Sequence, residues 1–245
     1  MVSIKGFGWR IGNQMFQLAA AIALADKNDD TVAFPEWEYA KYFAGNFTPS
    51  TSKIDSVYSS AFNYEPIPYS QNMAIDGYFQ SEKFFENCTK KIKRIFDIKM
   101  SEDLCEIKGF DEGKKQIGIH IRRGDYLKYP DHHPTQDLSY YHKGIQYIRE
   151  KTKEDFQIVV FSDDLDWCKE NFSKDYLYPN ADEVETLFLM TRCHHYVICN
   201  SSFSWWGAYL SKNKDAIVVA PKLWFGPAYA HFNTKDIYCK DWIKI

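Results

Sequence analysis

Residues Ile117 to Asp125 read Ile-Gly-Ile-His-Ile-Arg-Arg-Gly-Asp, an apolar β-branched run that ends in paired guanidinium groups, a glycine and a carboxylate. Arginine suits the holding of a diphosphate, because its planar, permanently charged group gives parallel hydrogen bonds to phosphate oxygens. In an open α/β sheet, ligands bind in the crevice beyond the carboxyl ends of the strands. Arg122 and Arg123 stand at such an edge if Ile117 to Ile121 is a strand. The plainer reading of the same residues is a solvated strand end, with a surface ion pair between Arg123 and Asp125. Other segments repeat this order of strand and then polar loop. Ser162, Asp163 and Asp164 follow the apolar run Gln157 to Phe161, and Asn200, Ser201, Ser202, Phe203 and Ser204 follow Tyr196 to Cys199 and run into a helix. Hydroxyls and backbone amides at a helix N-terminus make an anion cradle. Taken singly, each loop reads equally well as a helix cap. Together they point to a nucleotide-diphosphate site.

The elements that must position these loops follow from hydrophobic periodicity. The chain opens with a strand near Val2 to Gly6 and a Gly-rich turn, then a helix from about Asn13 whose broad apolar face includes Phe16, Leu18, Ile22 and Leu24. Thr31 to Phe34 is a second strand, stopped by Pro35. Residues 36–75 are aromatic and Pro-punctuated, and read as irregular structure forming one wall of a site. Ser81 to Ile95 is expected to be a helix capped by Ser81, and Ser101 to Lys108 another. A boundary follows at Gly109 to Lys115. From Ile117 onward strands and helices alternate: helix Leu138 to Lys151, strand Gln157 to Phe161, helices Leu165 to Asn171 and Ala181 to Arg192, strand Tyr196 to Cys199, helix Ser204 to Leu210, strand Ala216 to Ala220. This alternation implies an α/β fold of parallel sheets covered on both faces. The expected domains are residues 1–112 and 113–245, with the last residues able to pack back on the first domain.

Composition excludes several classes. A chain of 245 residues with 45% hydrophobic and 26% charged residues is an ordinary globular protein, and its net charge of −3 argues against a nucleic-acid partner. The aromatic fraction of 17% is high. Aromatics at clefts stack on sugars, although most should be core. The cysteines are scattered without a zinc-like spacing, and read as buried free thiols in a reducing cytoplasm. No signal peptide or membrane-spanning run is evident. Adjacent His132 and His133 lack a convergent set of carboxylates, so no metal is expected there. Trp205 and Trp206 point in different directions on one helix, so at least one belongs to the core.

At these residues the chain resembles a known family. His120-Ile121-Arg122-Arg123-Gly124-Asp125 is similar to the H-x-R-R-x-D motif of α1,2-, α1,6- and protein O-fucosyltransferases. Gly12-Asn13-Gln14-Met15-Phe16-Gln17 and Asn200-Ser201-Ser202-Phe203-Ser204-Trp205-Trp206-Gly207-Ala208 resemble motifs of the α1,2-fucosyltransferases, glycosyltransferase family 11. Gly8-Trp9-Arg10-Ile11 departs from that family's plainer Gly-Gly-Leu, which implies different acceptor contacts. The resemblance implies a GT-B-like fold, with two Rossmann-like domains facing across a cleft and the donor held by the C-terminal one. It implies a metal-independent, inverting transfer of L-fucose from GDP-β-L-fucose to the 2-hydroxyl of a terminal β-galactoside, with no cofactor. The setting it implies is a bacterial, cytoplasmic enzyme of surface-polysaccharide synthesis, compatible with a peripheral membrane contact.

For individual residues, the resemblance makes Arg122 the β-phosphate contact. His120, Arg123, Ser162, Asp163, Asn200, Ser201, Ser202, Phe203 and Ser204 join it at the donor, and Asn13 and Gln14 lie on the acceptor side. Asp125 is expected to pair with an arginine or to move a proton, and Asp131 is the candidate general base, with an exposed loop aspartate as its alternative. An acidic group among Asp182, Glu183 and Glu185 is the candidate for guanine, unless these residues merely start a helix. Fucosyl transfer with α1,6 linkage and a non-catalytic nucleotide- or sugar-binding module remain the competing readings.

Overall fold

Among the described residues of the computed structural model, the named strands pair only in parallel and fall into separate sheets of four and five. The structure describes all residues except 50–52, 61, 102 and 112, so parts of the expected irregular region, helix and boundary lie outside the described residues. The chain divides into two units, Met1–Lys99 with Phe232–Cys239 and Met100–His231 with Lys240–Ile245. The division thus falls at 99/100 rather than 112/113. The segment after it is tied to the second unit, with Lys108 Nζ 3.0 Å from Glu185 and the Gln116 side-chain amide donating to the Asp111 carbonyl.

In the first unit, β1 (Val2–Ile4) leads to α1 (Ile11–Lys27) and then β2 (Val32–Ala33). β3 (Ser56–Ser59) and β4 (Met73–Asp76) complete a sheet of order β2-β1-β4-β3. Both lie in the region expected to be irregular. β3 is a mostly exposed edge strand, so its sequence has little reason to carry the apolar alternation that marks a half-buried strand. The helix expected over Ser81–Ile95 is instead a pair of 3₁₀ turns, Glu82–Phe84 and Glu86–Cys88, followed by α2 (Thr89–Ile95). Ser81 does cap, but it caps the first of these turns. The bunched aromatics explain the break. Phe84 packs on Phe79 at 5.2 Å and Phe85 on Phe16 at 6.2 Å, which a regular helix of this sequence would have to trade for its own hydrogen bonds.

The second unit begins with α3 (Asp103–Ile107) and continues through β5 (Gln116–Ile121), α4 (Leu138–Thr152), β6 (Gln157–Ser162), α5 (Leu165–Asn171), α6 (Glu183–Arg192), β7 (His195–Val197), α7 (Ser202–Tyr209), β8 (Val218–Ala220) and β9 (Ile243–Lys244). Its sheet order is β6-β5-β7-β8-β9. Ile117, Ile119 and Ile121 face one layer, packing with Tyr141, Ile145 and Ile148 of α4. Gly118 faces the other, where an added Cβ would fall 2.8 Å from the Cys193 sulfur. Helices therefore cover both faces, as the alternation predicts. Trp205 and Trp206 are both fully buried. No disulfide forms, and all the cysteines are buried except half-buried Cys239. Among the described residues, no helix is long and apolar enough to cross a membrane.

Candidate active site

β5 is the first strand of the second sheet, and the chain goes to one side of it for β6 and to the other for β7. This reversal is a topological switch point, where loops leaving adjacent strands part and open a crevice beyond their carboxyl ends. The loop after β5 carries Arg122, Arg123, Gly124 and Asp125, and the loop after β7 carries Asn200 and Ser201 and starts α7. The three polar loops singled out in the sequence therefore meet at one edge.

Arg122 is clamped from both sides. Its Nε and Nη2 lie 2.8 and 2.7 Å from Asp125 Oδ1, and its Nη1 lies 3.1 Å from Asp163 Oδ2. A guanidinium has five N–H donors. Nε donates to Asp125, and the two terminal nitrogens are ion-paired, so each keeps an N–H for a further acceptor. The side chain is 15% exposed, so a fixed and accessible fork remains. The surface ion pair expected between Arg123 and Asp125 is not the one formed, since Asp125 turns to Arg122. Arg123 instead lies 3.7 Å over the Trp167 ring, and its Nε donates to Asp164 at 3.0 Å.

Ser162 and Asp164 do act as helix-start residues. Ser162 Oγ accepts the Asp164 N–H at 3.0 Å, and the Asp164 side chain accepts the Trp167 N–H at the start of α5. Asp163 turns away from this cap. Its Oδ1 accepts the Arg123 N–H at 2.9 Å while Oδ2 holds Arg122. Gly124 permits the approach, because a Cβ there would fall 2.6 Å from Asp163 Oδ2.

The facing loop divides into a buried brace and an open helix end. Asn200 is fully committed: its Nδ2 donates to the Trp224 carbonyl at 3.0 Å, its Oδ1 accepts from Gln136 at 3.1 Å, and its carbonyl accepts the Tyr126 hydroxyl at 2.8 Å. Ser204 is buried, and its hydroxyl donates to the carbonyls of Ser201 and Cys199. In this structure these side chains brace the loop. Ser201, Ser202 and Phe203 are half-buried, and Ser201 makes no side-chain cap. The first-turn N–H groups of α7 thus lie at the same carboxyl edge of the sheet as the loop that carries Arg122.

His120 sits beneath the arginines, with Nδ1 3.1 Å from the Cys199 sulfur and its ring 5.4 Å from that of Phe203. Burial, reinforced by the Arg122 charge, lowers its pKa to about 3, and burial raises that of the Cys199 thiol to about 12. Both are neutral at physiological pH, so they add no charge beneath the loop that carries Arg122. His133 stacks on Tyr126 at 4.9 Å and His132 packs edge-on to Tyr229, so both rings join an aromatic cluster.

Other expected residues divide. Asp131 is exposed, and its carbonyl accepts the Ala228 N–H at 2.9 Å. Asp182 and Glu185 form a reciprocal capping box at the start of α6, and Glu185 pairs with Lys108, which supports the helix-start reading over guanine recognition. In the first unit, Gln14 is buried and braces its surroundings, donating to the Trp9 carbonyl at 3.0 Å and accepting the Trp37 indole N–H at 2.9 Å. Half-buried Asn13 accepts from Gln80 at 2.6 Å. The bracing residues Tyr126, Gln136 and Trp167 were not singled out from sequence. Their only signal is placement just beyond the polar loops.

The sequence pattern of glycosyl transferase family 11 matches residues 41–245. The chain belongs to this family. Among curated relatives, it is 34% identical over 185 residues to the O-antigen biosynthesis glycosyltransferase WbnK of Escherichia coli, covering 69% of this chain and 59% of that protein. It is 33% identical over 181 residues to an α-1,2-colitosyltransferase of Escherichia coli, covering 69% and 61%. The matches thus span about three-fifths of each relative's length. In structure, it resembles the NodZ α-1,6-fucosyltransferase soaked with GDP-fucose, with a TM-score of 0.53 over 86% of this chain and 92% of that one. At 14% identity this likeness concerns the fold, which is GT-B-like in both.

Proposed function

We propose that this family 11 protein transfers L-fucose from GDP-β-L-fucose to the 2-hydroxyl of a terminal β-galactoside, with inversion, in the synthesis of a bacterial surface polysaccharide. The observation that carries the reading is the clamped Arg122 fork at the same sheet edge as the N-terminus of α7, which has no side-chain cap, at the switch point of a GT-B-like unit. Relatives named for O-antigen synthesis and for α-1,2 transfer support the setting and the linkage.

The chemistry suits these residues. The acceptor oxygen attacks the anomeric carbon as the bond to the β-phosphate oxygen breaks, and negative charge gathers on the departing GDP. Arg122 and the α7 amides stabilise that charge where it develops, and their geometry is set before reaction. Asp125 and Asp163 hold the fork, while Arg123, fixed on Trp167 and Asp164, stiffens the loop that carries it. Asp131 is assigned the acceptor proton, and Asn13 is assigned to the acceptor side. No divalent ion is required, because permanent cations supply the compensating charge.

The experiment is incubation with GDP-fucose and a panel of β-galactosides, followed by linkage analysis. An α1,2-fucosylated product is expected. An α1,6 product, or tight GDP binding without transfer, would overturn the reading. The colitosyltransferase relative favours a second reading in which the same site moves colitose, which a donor competition in the same assay distinguishes.

A further inference from the structure

We propose that Trp9, stacked on Tyr78, is a platform for a pyranose ring of the acceptor saccharide on the first unit. The saccharide's identity as acceptor rests on the fucosyl-transfer reading. The platform itself rests on the geometry.

Trp9 is 54% exposed, a large apolar surface to leave in water. Its indole lies 4.1 Å from the Tyr78 ring with 24° between the planes, so one face is covered and the other is free to take a flat apolar partner. Its backbone is held at φ 63°, a left-handed conformation that a bulky residue rarely adopts. Phe79, beside Tyr78, is also left-handed at φ 52°. Such strain persists only where the surroundings impose it, and it gathers at ligand-binding positions. Here Gln14 holds the Trp9 carbonyl, and Gln17 bonds both to the Gly8 N–H at 3.4 Å and to the Gly77 carbonyl at 3.2 Å. The fold therefore spends buried amides on fixing an exposed ring.

The location is right for a ligand. Trp9 follows β1 and Tyr78 follows β4, and these strands pair in parallel, so both rings stand at the carboxyl edge of the first sheet. A polar observation adds to this. Gln80 is 7% exposed, and its Oε1 is buried without a hydrogen-bond partner, while its Nε2 donates to Asn13. A ring with an apolar face and a fringe of hydroxyls matches an aromatic surface two residues along the chain from one unsatisfied amide oxygen. A β-galactoside has such a ring.

Lactose is the probe, followed by saturation-transfer NMR and by steady-state KM. Trp9→Gly is the decisive variant, because glycine accepts φ 63° without strain and leaves the fold intact. It is expected to keep the parent's melting temperature and GDP affinity, while its saturation transfer to lactose collapses and its KM for lactose rises about tenfold or more. Trp9→Tyr is expected to retain most binding. Unchanged lactose binding in Trp9→Gly, or an equal loss of GDP binding, would overturn the platform, as would a parent that binds no lactose. A parent that binds lactose through Trp9 yet transfers no fucose would overturn the transfer reading alone.

Discussion

Asp163 Oδ2 lies 3.1 Å from Arg122 Nη1, a contact made from the loop after β6 to the loop after β5. The same carboxylate accepts the Arg123 N–H at 2.9 Å, so it fixes both the guanidinium and the backbone that carries it. This makes Asp163 a positioning residue for the arginine fork. Gly124 is the space it needs.

Gly124→Ala and Asp163→Asn should therefore fail in the same way. The alanine Cβ would fall 2.6 Å from Oδ2 and push the carboxylate off Arg122, and the amide removes its charge. Each is expected to lower kcat/KM by about tenfold or more, with KM for the acceptor unchanged. The double variant should be little worse than either single one. Fully additive losses would show that the two residues act separately.

How much of this was legible in the chain differs from element to element. β5, β6 and α5 could be placed because Ile and Val runs end in polar loops, and because Ser162 and Asp164 carry helix-start chemistry. β3 was illegible because an exposed edge strand shows no apolar alternation. The division of Glu82–Ile95 depends on contacts of Phe84 and Phe85 with distant residues, which local periodicity does not contain. At the site, residue types marked Arg122 and Arg123 together, but not which carboxylate would hold each. Asp125 three residues on and Asp163 forty-one residues on are the same residue type, and only the fold shows that both converge. For Asn200 and Ser204 residue type does not separate a ligand contact from a brace, because buried polar groups that hold a loop use the same side chains.

His120 sets a pH dependence of stability. Its folded pKa, lowered by burial and then by Arg122 to about 3, lies below its ordinary 6.5. The unfolded chain therefore takes up a proton that the folded chain refuses. The stabilisation is complete above pH 6.5 and is lost as pH falls toward 3, at up to about 1.4 kcal/mol per pH unit. His133, His194 and His195 are shifted in the same direction by burial and add to the slope. Denaturant melts between pH 6.5 and 4 should show a shallower decline in His120→Asn than in the parent. An identical decline would remove His120 as a source.

Asp131→Asn tests the assigned base. The substitution keeps the loop's main-chain bond from Ala228, so the fold should persist. Turnover is expected to fall about a hundredfold or more with donor KM unchanged, because only the proton transfer is lost. Parental turnover and pH profile would move the role to His132, Asp125 or an unassisted attack.

Chelation should leave transfer intact. The carboxylates nearest the arginines are already paired with them, and among the described residues no group of three or more His, Cys, Asp or Glu is placed to hold a metal ion. Activity that vanishes in EDTA and returns with magnesium or manganese would show that a cation, not the arginine fork, balances the diphosphate.

The central claim, that a GDP-sugar diphosphate is held by Arg122 at the switch point of the second sheet, is tested most directly by calorimetric titration of GDP into the parent and Arg122→Lys. A point charge cannot reproduce the fork, and loss of one such contact weighs on the order of 3 kcal/mol where charge develops. The account predicts that the parent binds GDP, and that Arg122→Lys melts like the parent but binds GDP at least about tenfold more weakly and loses about a hundredfold in turnover. GDP affinity and turnover in Arg122→Lys equal to the parent's would contradict it.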